Sequence, residues 1–132
     1  MGFLIDTDII IYSLKGHIAV NGNFRLHLDA PKMLSVITYG ELFFGAKKSK
    51  QVEKNVAAVR RVAELFPIID VTLAVMETFG ELKAGLQKHG NPLDDMDLLI
   101  AATALNHGLV LVTNNEKHFK KINGLDVMNW SR

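Results

Sequence analysis

The sequence predicts an α/β fold: an open parallel sheet flanked by helices in a single compact domain. Short apolar runs of strand length alternate with segments of helical period from one end to the other. No repeat, low-complexity tract or linker interrupts that alternation. With 132 residues, 48% of them apolar, the chain can bury one real core and has no room for a second, so residues 1–132 are read as one domain.

Phe3-Leu4-Ile5 is a buried strand by its apolar run. Ile9 to Tyr12 either extend that strand or open a helix, and periodicity does not decide. Met33 to Val36 reads as a second strand, followed by a helix from Thr38 to Lys48. Val52, Val56, Val59 and Ala63 repeat at helical spacing until Pro67 breaks the helix, and Ile68-Ile69 with Val71 make a brief strand. Val75, Phe79, Leu82 and Leu86 mark an amphipathic helix closed by Gly90 and Pro92. Met96 to Leu105 is apolar nearly all round, which predicts a central, buried helix. Leu109 to Val112 is the clearest strand, and Leu125 to Met128 the last.

Composition narrows the function. Fifteen basic residues against 14 acidic give a net charge of +1, so any nucleic acid must be attracted by local patches. The absence of cysteine excludes disulfides, thiolate metal sites and a cysteine nucleophile, and fits a reducing cytoplasm. Asp6 comes too early for a signal peptide, and no apolar run approaches the ~20 residues of a membrane span. The expectation is a soluble, cytoplasmic protein.

In open parallel sheets ligands bind beyond the carboxyl ends of the strands. Asp6 directly follows the first strand, with Asp8 two residues on. Glu41 lies early in the helix after the second strand, and Asp94, Asp95 and Asp97 crowd the start of the buried helix. Asn114, Asn115 and Glu116 follow the strand 109–112. Carboxylates converging on one edge repel strongly in a desolvated cleft, and a hard divalent cation with oxygen ligands relieves that conflict. Each acid also has a plain structural explanation. Thr38-x-x-Glu41 matches a capping box, Asp94 suits an N-cap with Asp97 in the first turn, and Asp8 could cap a helix opening at Ile9. Taken singly, Asp94 and Asp8 read as caps, while Glu41 and Asp97 stand balanced between capping and chemistry. Asp6 resists the capping explanation, because a carboxylate that ends a buried strand is costly.

Lys47, Lys48 and Lys50 form one basic patch, and Lys117, His118, Lys120 and Lys121 another. Such runs usually mark a solvated face, but both would flank the acidic edge and suit phosphate contacts. The five histidines lack the paired spacing of a zinc site. Trp130, Phe24 and Phe66 read as packing residues.

Leu4-Ile5-Asp6-Thr7-Asp8-Ile9-Ile10-Ile11-Tyr12 resembles the opening of PIN-domain nucleases, the VapC toxins in particular. Thr38 to Ala46, Asp97 to Ala104, Leu111 to Asn115 leading to Phe119, and Gly124 through Trp130 resemble further blocks of that family, in its order and across almost the whole chain. The resemblance implies a PIN domain over 1–132. It implies Asp6, Glu41 and Asp97 as metal-binding and catalytic acids, with Mg²⁺ or Mn²⁺ as cofactor. Thr113 matches a supporting hydroxyl residue. Asn115 stands where many members carry a fourth acid, which leaves Asp95 and Glu116 as candidates for a second cation, and Asp8 stands where Asn is commoner. The implied activity is an endoribonuclease toxin acting on single-stranded regions of RNA such as transfer RNA, leaving a 5′-phosphate and a 3′-hydroxyl. Lys47, Lys48, Lys50 and Lys117 would contact the RNA. The implied partners are a VapB-like antitoxin and a second copy of the chain. Two alternatives stand beside it. Asp6-Thr7-Asp8 mimics the nucleophile and acid of a haloacid-dehalogenase-like phosphatase, and an inert interaction module would use its acids only as helix caps.

Overall fold

The structure, a computed structural model, describes residues 2–132; Met1 lies outside them. A five-stranded sheet runs through the molecule in the order β3-β2-β1-β4-β5, with every neighbouring pair parallel. Its strands are β1 (Phe3–Ile5), β2 (Lys32–Ser35), β3 (Ile68–Ile69), β4 (Val110–Val112) and β5 (Val127–Met128). The helices are α1 (Thr7–Leu14), α2 (Ile18–Leu26), α3 (Val36–Lys47), α4 (Val52–Leu65), α5 (Leu73–Lys88), α6 (Asp95–His107) and α7 (Glu116–Phe119).

Strand side chains alternate between faces, and the core divides accordingly. Phe3 and Ile5 of β1 with Val110 and Val112 of β4 join one cluster, which takes in Ile9, Val20, Leu42, Val59, Val62 and Trp130. Leu4 and Leu111 point the other way and pack with Leu86, Leu98, Ile100, Ala101, Ala104 and Phe119. The helices α1 to α4 therefore cover one face and α5 to α7 the other. Both faces of β1 and β4 are dry, which is why those strands read as unbroken apolar runs.

Ile9 to Tyr12 belong to a helix. That helix opens at Thr7 because the Asp6 carboxylate accepts a hydrogen bond from the Thr7 N–H at 2.8 Å. The second strand ends one residue earlier than its sequence suggests, since Ser35, its last paired residue, caps α3 through the Ile37 N–H at 3.0 Å. The α6 helix is buried as expected, with Ala101, Ala102 and Ala104 wholly enclosed, and Gly108 closes it at φ 62°. The helix α2 has no counterpart in the sequence expectation. Asn21, Gly22 and Asn23 interrupt its middle, and tertiary packing of Val20 carries it instead. No helix among the described residues is long and apolar enough to cross a membrane.

Candidate active site

The strand order reverses between β1 and β4: from β1 the chain moves outward to β2 and β3, then returns to β4 on the other side. The crevice beyond the carboxyl ends of those two strands is the place where an open sheet offers a ligand site. Asp6 follows β1 and Thr113 follows β4. The Thr113 hydroxyl donates to Asp6 Oδ2 at 2.7 Å, while Oδ1 takes the Thr7 N–H. The Asp6 N–H continues the ladder to the Val112 carbonyl at 2.9 Å. Asp6 is only 5% exposed. Its burial, reinforced by the charge of Asp8, pushes its carboxyl up to about 7 against the opposing pull of these two hydrogen bonds.

Asp8 does not cap a helix; Asp6 holds that position, and Asp8 occupies the first turn of α1. Its Oδ2 accepts the Asn114 N–H at 3.1 Å, and Oδ1 is sealed from solvent with no hydrogen-bond partner. Burial pushes its carboxyl above the usual carboxylate range, and the Asp97 charge adds to the effect. Asp97, in the first turn of α6, is raised by burial and then by Asp94, with His118 opposing; His118 Nδ1 lies 3.7 Å from Asp97 Oδ2. Asp6 thus feels the charges of Asp8 and Asp97, Asp8 that of Asp97, and Asp97 that of Asp94.

Glu41 reaches the site by a different route. The capping box does not form, because Ser35 caps α3 and Thr38 is buried one turn inside it. The Thr7 hydroxyl donates to Glu41 Oε1 at 2.5 Å and lies 3.3 Å from the Thr38 hydroxyl. Glu41 is held at the rim by Thr7, with the Thr38 hydroxyl beside that of Thr7.

Asp94 does cap α6, accepting the Met96 N–H at 3.2 Å. Asp95 turns away to an ion pair with Lys83 at 3.0 Å, on the exposed side of α6. Glu116 is engaged by Arg132 and lies 3.8 Å from Lys120, so its carboxyl is held low and faces cations already present. Asn115 precedes α7 without capping it through its side chain; its N–H donates to the Thr113 hydroxyl at 3.0 Å. Of the basic residues, Lys117 lies on α7, next to His118, whose ring reaches Asp97. Lys47 and Lys48 lie at the far end of α3 with Lys50 beyond, about 10 Å along the helix from Glu41. They do not rim the acidic edge. Lys47 faces the groove between α3 and α4 with Arg60 and Arg61, and Lys48 stands over the Phe44 ring at 5.0 Å. Phe24 packs on Phe66 and Trp130, as the sequence suggests.

Carboxylate and hydroxyl oxygens dominate the crevice, with the His118 ring beside Asp97; no cationic side chain pairs with Asp6 or Asp8 among the described residues, and one buried carboxylate oxygen lacks a partner. That donor set fits a hard divalent cation. Among the described residues no three His, Asp or Glu side chains already close on one point as ligands.

The sequence pattern of the PIN domain family matches residues 3–125. The chain belongs to the PIN-domain family. This PIN domain is 34% identical over 130 residues to the tRNA(fMet)-specific endonuclease VapC of Shigella flexneri, covering 98% of each chain. It is 36% identical over 129 residues to ribonuclease VapC2 of Haemophilus influenzae, covering 97% of each. Its fold superimposes with a TM-score of 0.91 on a chain of VapBC2 from Rickettsia felis, solved bound to a DNA fragment from the promoter of that pair. There the identity is 32%, over 98% of this chain and 99% of the other. The likeness to a haloacid-dehalogenase-like phosphatase finds no support, and neither does an inert module.

Proposed function

We propose that this PIN domain is an endoribonuclease and the toxin of a VapBC-type pair, hydrolysing phosphodiester bonds in single-stranded RNA with Mg²⁺ or Mn²⁺. One observation carries the reading: a buried, uncompensated carboxylate, Asp6, at the point where strand order reverses, within the field of Asp8 and Asp97. The named activities of the VapC relatives point the same way.

The residues divide the work. Asp6 and Asp97 would hold the cation, with Glu41 directly or through water. The cation, once bound, supplies Lewis acidity for in-line attack by water and charge stabilisation for the departing oxygen. Thr113 and the Thr7 N–H fix the Asp6 carboxylate in one rotamer, so its charge is oriented before substrate arrives. Thr7 holds Glu41 toward the crevice, where it can orient a water or the substrate. Lys117 lies where it can meet a phosphate, and Lys48 can meet one further along the strand. The partner is a VapB-like antitoxin, as in the Rickettsia complex. Exposed Leu73 and Met76 on α5 and Phe44 on α3 suit a homodimer.

Asp6→Asn keeps shape and hydrogen-bond acceptors on Oδ1 while removing charge. Cleavage of a transfer-RNA pool, read from mapped RNA ends, should fall at least about 100-fold with the fold intact by circular dichroism. Excess chelator should abolish wild-type cleavage and added Mn²⁺ restore it. Wild-type rates from the Asn variant would sink the assignment.

A further inference from the structure

Asp8 is an acid without a structural partner for half of its carboxylate. Its Oδ2 is satisfied by the Asn114 N–H at 3.1 Å, but Oδ1 is cut off from water and receives no hydrogen bond. A buried anionic oxygen without a donor is unfavourable, and here it lies in the field of Asp97 and close enough to act on Asp6. No lysine, arginine or histidine pairs with Asp8 among the described residues. A tether for Asn114 alone would not need this arrangement, since a neutral carboxamide oxygen accepts the same N–H. Asp8 differs in this from each neighbouring acid: Asp94 is a cap, Asp95 pairs with Lys83, and Glu41 takes the Thr7 hydroxyl.

Resting on the metal-dependent reading above, we infer that Asp8 is a ligand of the divalent cation in this chain, beside Asp6 and Asp97. The Asn114 N–H fixes one oxygen of the carboxylate, and the free oxygen faces the cation. The tether extends outward, because Asn114 accepts from the Ser131 hydroxyl at 2.8 Å and lies 3.3 Å from the Tyr12 hydroxyl. The chain's last residues thereby brace the loop that aims Asp8.

Calorimetric titration of Mn²⁺ into the full chain tests this without any activity assay. Asp8→Asn preserves the acceptor for Asn114 and removes only charge. Asp95→Asn is the control, removing the same charge from an acid that already pairs with Lys83. Asp8→Asn should weaken Mn²⁺ binding tenfold or more, and Asp95→Asn should change it less than threefold. The metal-free Asp8→Asn protein should melt no lower than wild type, which shows that the loss is not a folding defect. Should it fail to fold, Asp8→Ser offers the same comparison with a shorter side chain. Wild type and Asp8→Asn binding Mn²⁺ equally, or the two variants losing affinity by the same factor, would overturn the role of Asp8 and leave the nuclease reading standing. A wild-type chain that binds no Mn²⁺ would overturn both.

Discussion

At the scale of single residues, the site turns on how Asp6 is held. Its carboxylate ends a buried strand, caps the following helix through Oδ1 and takes the Thr113 hydroxyl on Oδ2. Capping and cation binding stand as alternatives for such an acid in the sequence, yet each carboxylate oxygen has two lone-pair directions, so one side chain serves both. The wholly buried Thr113 is the residue to perturb. Thr113→Val keeps the volume but deletes the donor to Asp6 and the acceptor for the Asn115 N–H, at a stability cost of about 1–3 kcal/mol. Cleavage should fall with it, because Asp6 becomes free to turn and harder to ionise. Thr113→Ser restores the hydroxyl and should recover both. Denaturant melts and initial rates for the pair check this, and a Val variant with wild-type rates would show that Asp6 needs no brace.

At the scale of elements, the site is assembled from helix N-termini. The α1 and α6 helices both begin at the acidic edge, and their positive ends favour negative charge there. Asp94 belongs to this layer. It caps α6 from an exposed position, so Asp94→Ala should lower stability by about 1 kcal/mol and leave cleavage within a few-fold of wild type. Asp97→Asn, one turn on, should abolish cleavage with little change in stability; the same two measurements separate a cap from a ligand. What could be seen beforehand follows from the same layering. The strands β1 and β4 were legible because they are buried on both faces, and α6 because its apolar residues run all round. Asp6 and Asp97 stood out because strand ends and helix starts mark the edge, whereas Thr113 came only from the family resemblance. The helix α2 was not, since Asn21, Gly22 and Asn23 carry no helical preference and its stability comes from packing against distant residues. The role of Asp8 was hidden because Asp-x-x before an apolar run looks like a cap, and only the position of Asp6 shows that the cap is taken. The Lys47–Lys48 patch was expected to flank the acids, although a helix from Thr38 to Lys48 already puts it almost two turns beyond Glu41. His118 was visible only as a member of the basic patch at 117–121; its place beside Asp97, on a single turn of helix, was not.

At the scale of the whole molecule, folding gathers carboxylates from residues 6, 8 and 97 into one dry place while the net charge stays near neutral. The metal-free native state must then hold protons that the unfolded chain would release. The carboxyl of Asp6 moves from 3.8 to about 7 on folding. A group raised in this way contributes stability that is complete below its unfolded value and is lost as pH climbs through the folded one. Asp8 and Asp97 act in the same direction, and Glu116, held low by Arg132, acts weakly in the other. For Asp6 alone the loss is on the order of 4 kcal/mol at most, a large part of the about 5–15 kcal/mol that holds a domain of this kind together. The melting temperature of chelator-treated protein should therefore fall steadily from pH 5 to pH 8. Asp6→Asn should flatten most of that slope, since its side chain has no proton to lose. Saturating Mn²⁺ should reverse it, because the cation stabilises the ionised carboxylates and binds more tightly as they deprotonate, so its stabilisation grows with pH. Differential scanning calorimetry on the two proteins, with and without Mn²⁺, gives all four curves. A chelated wild type that grows more stable toward pH 8, or an Asn variant that tracks it, would mean that the acids are compensated within the fold and that the crevice has no need of a cation.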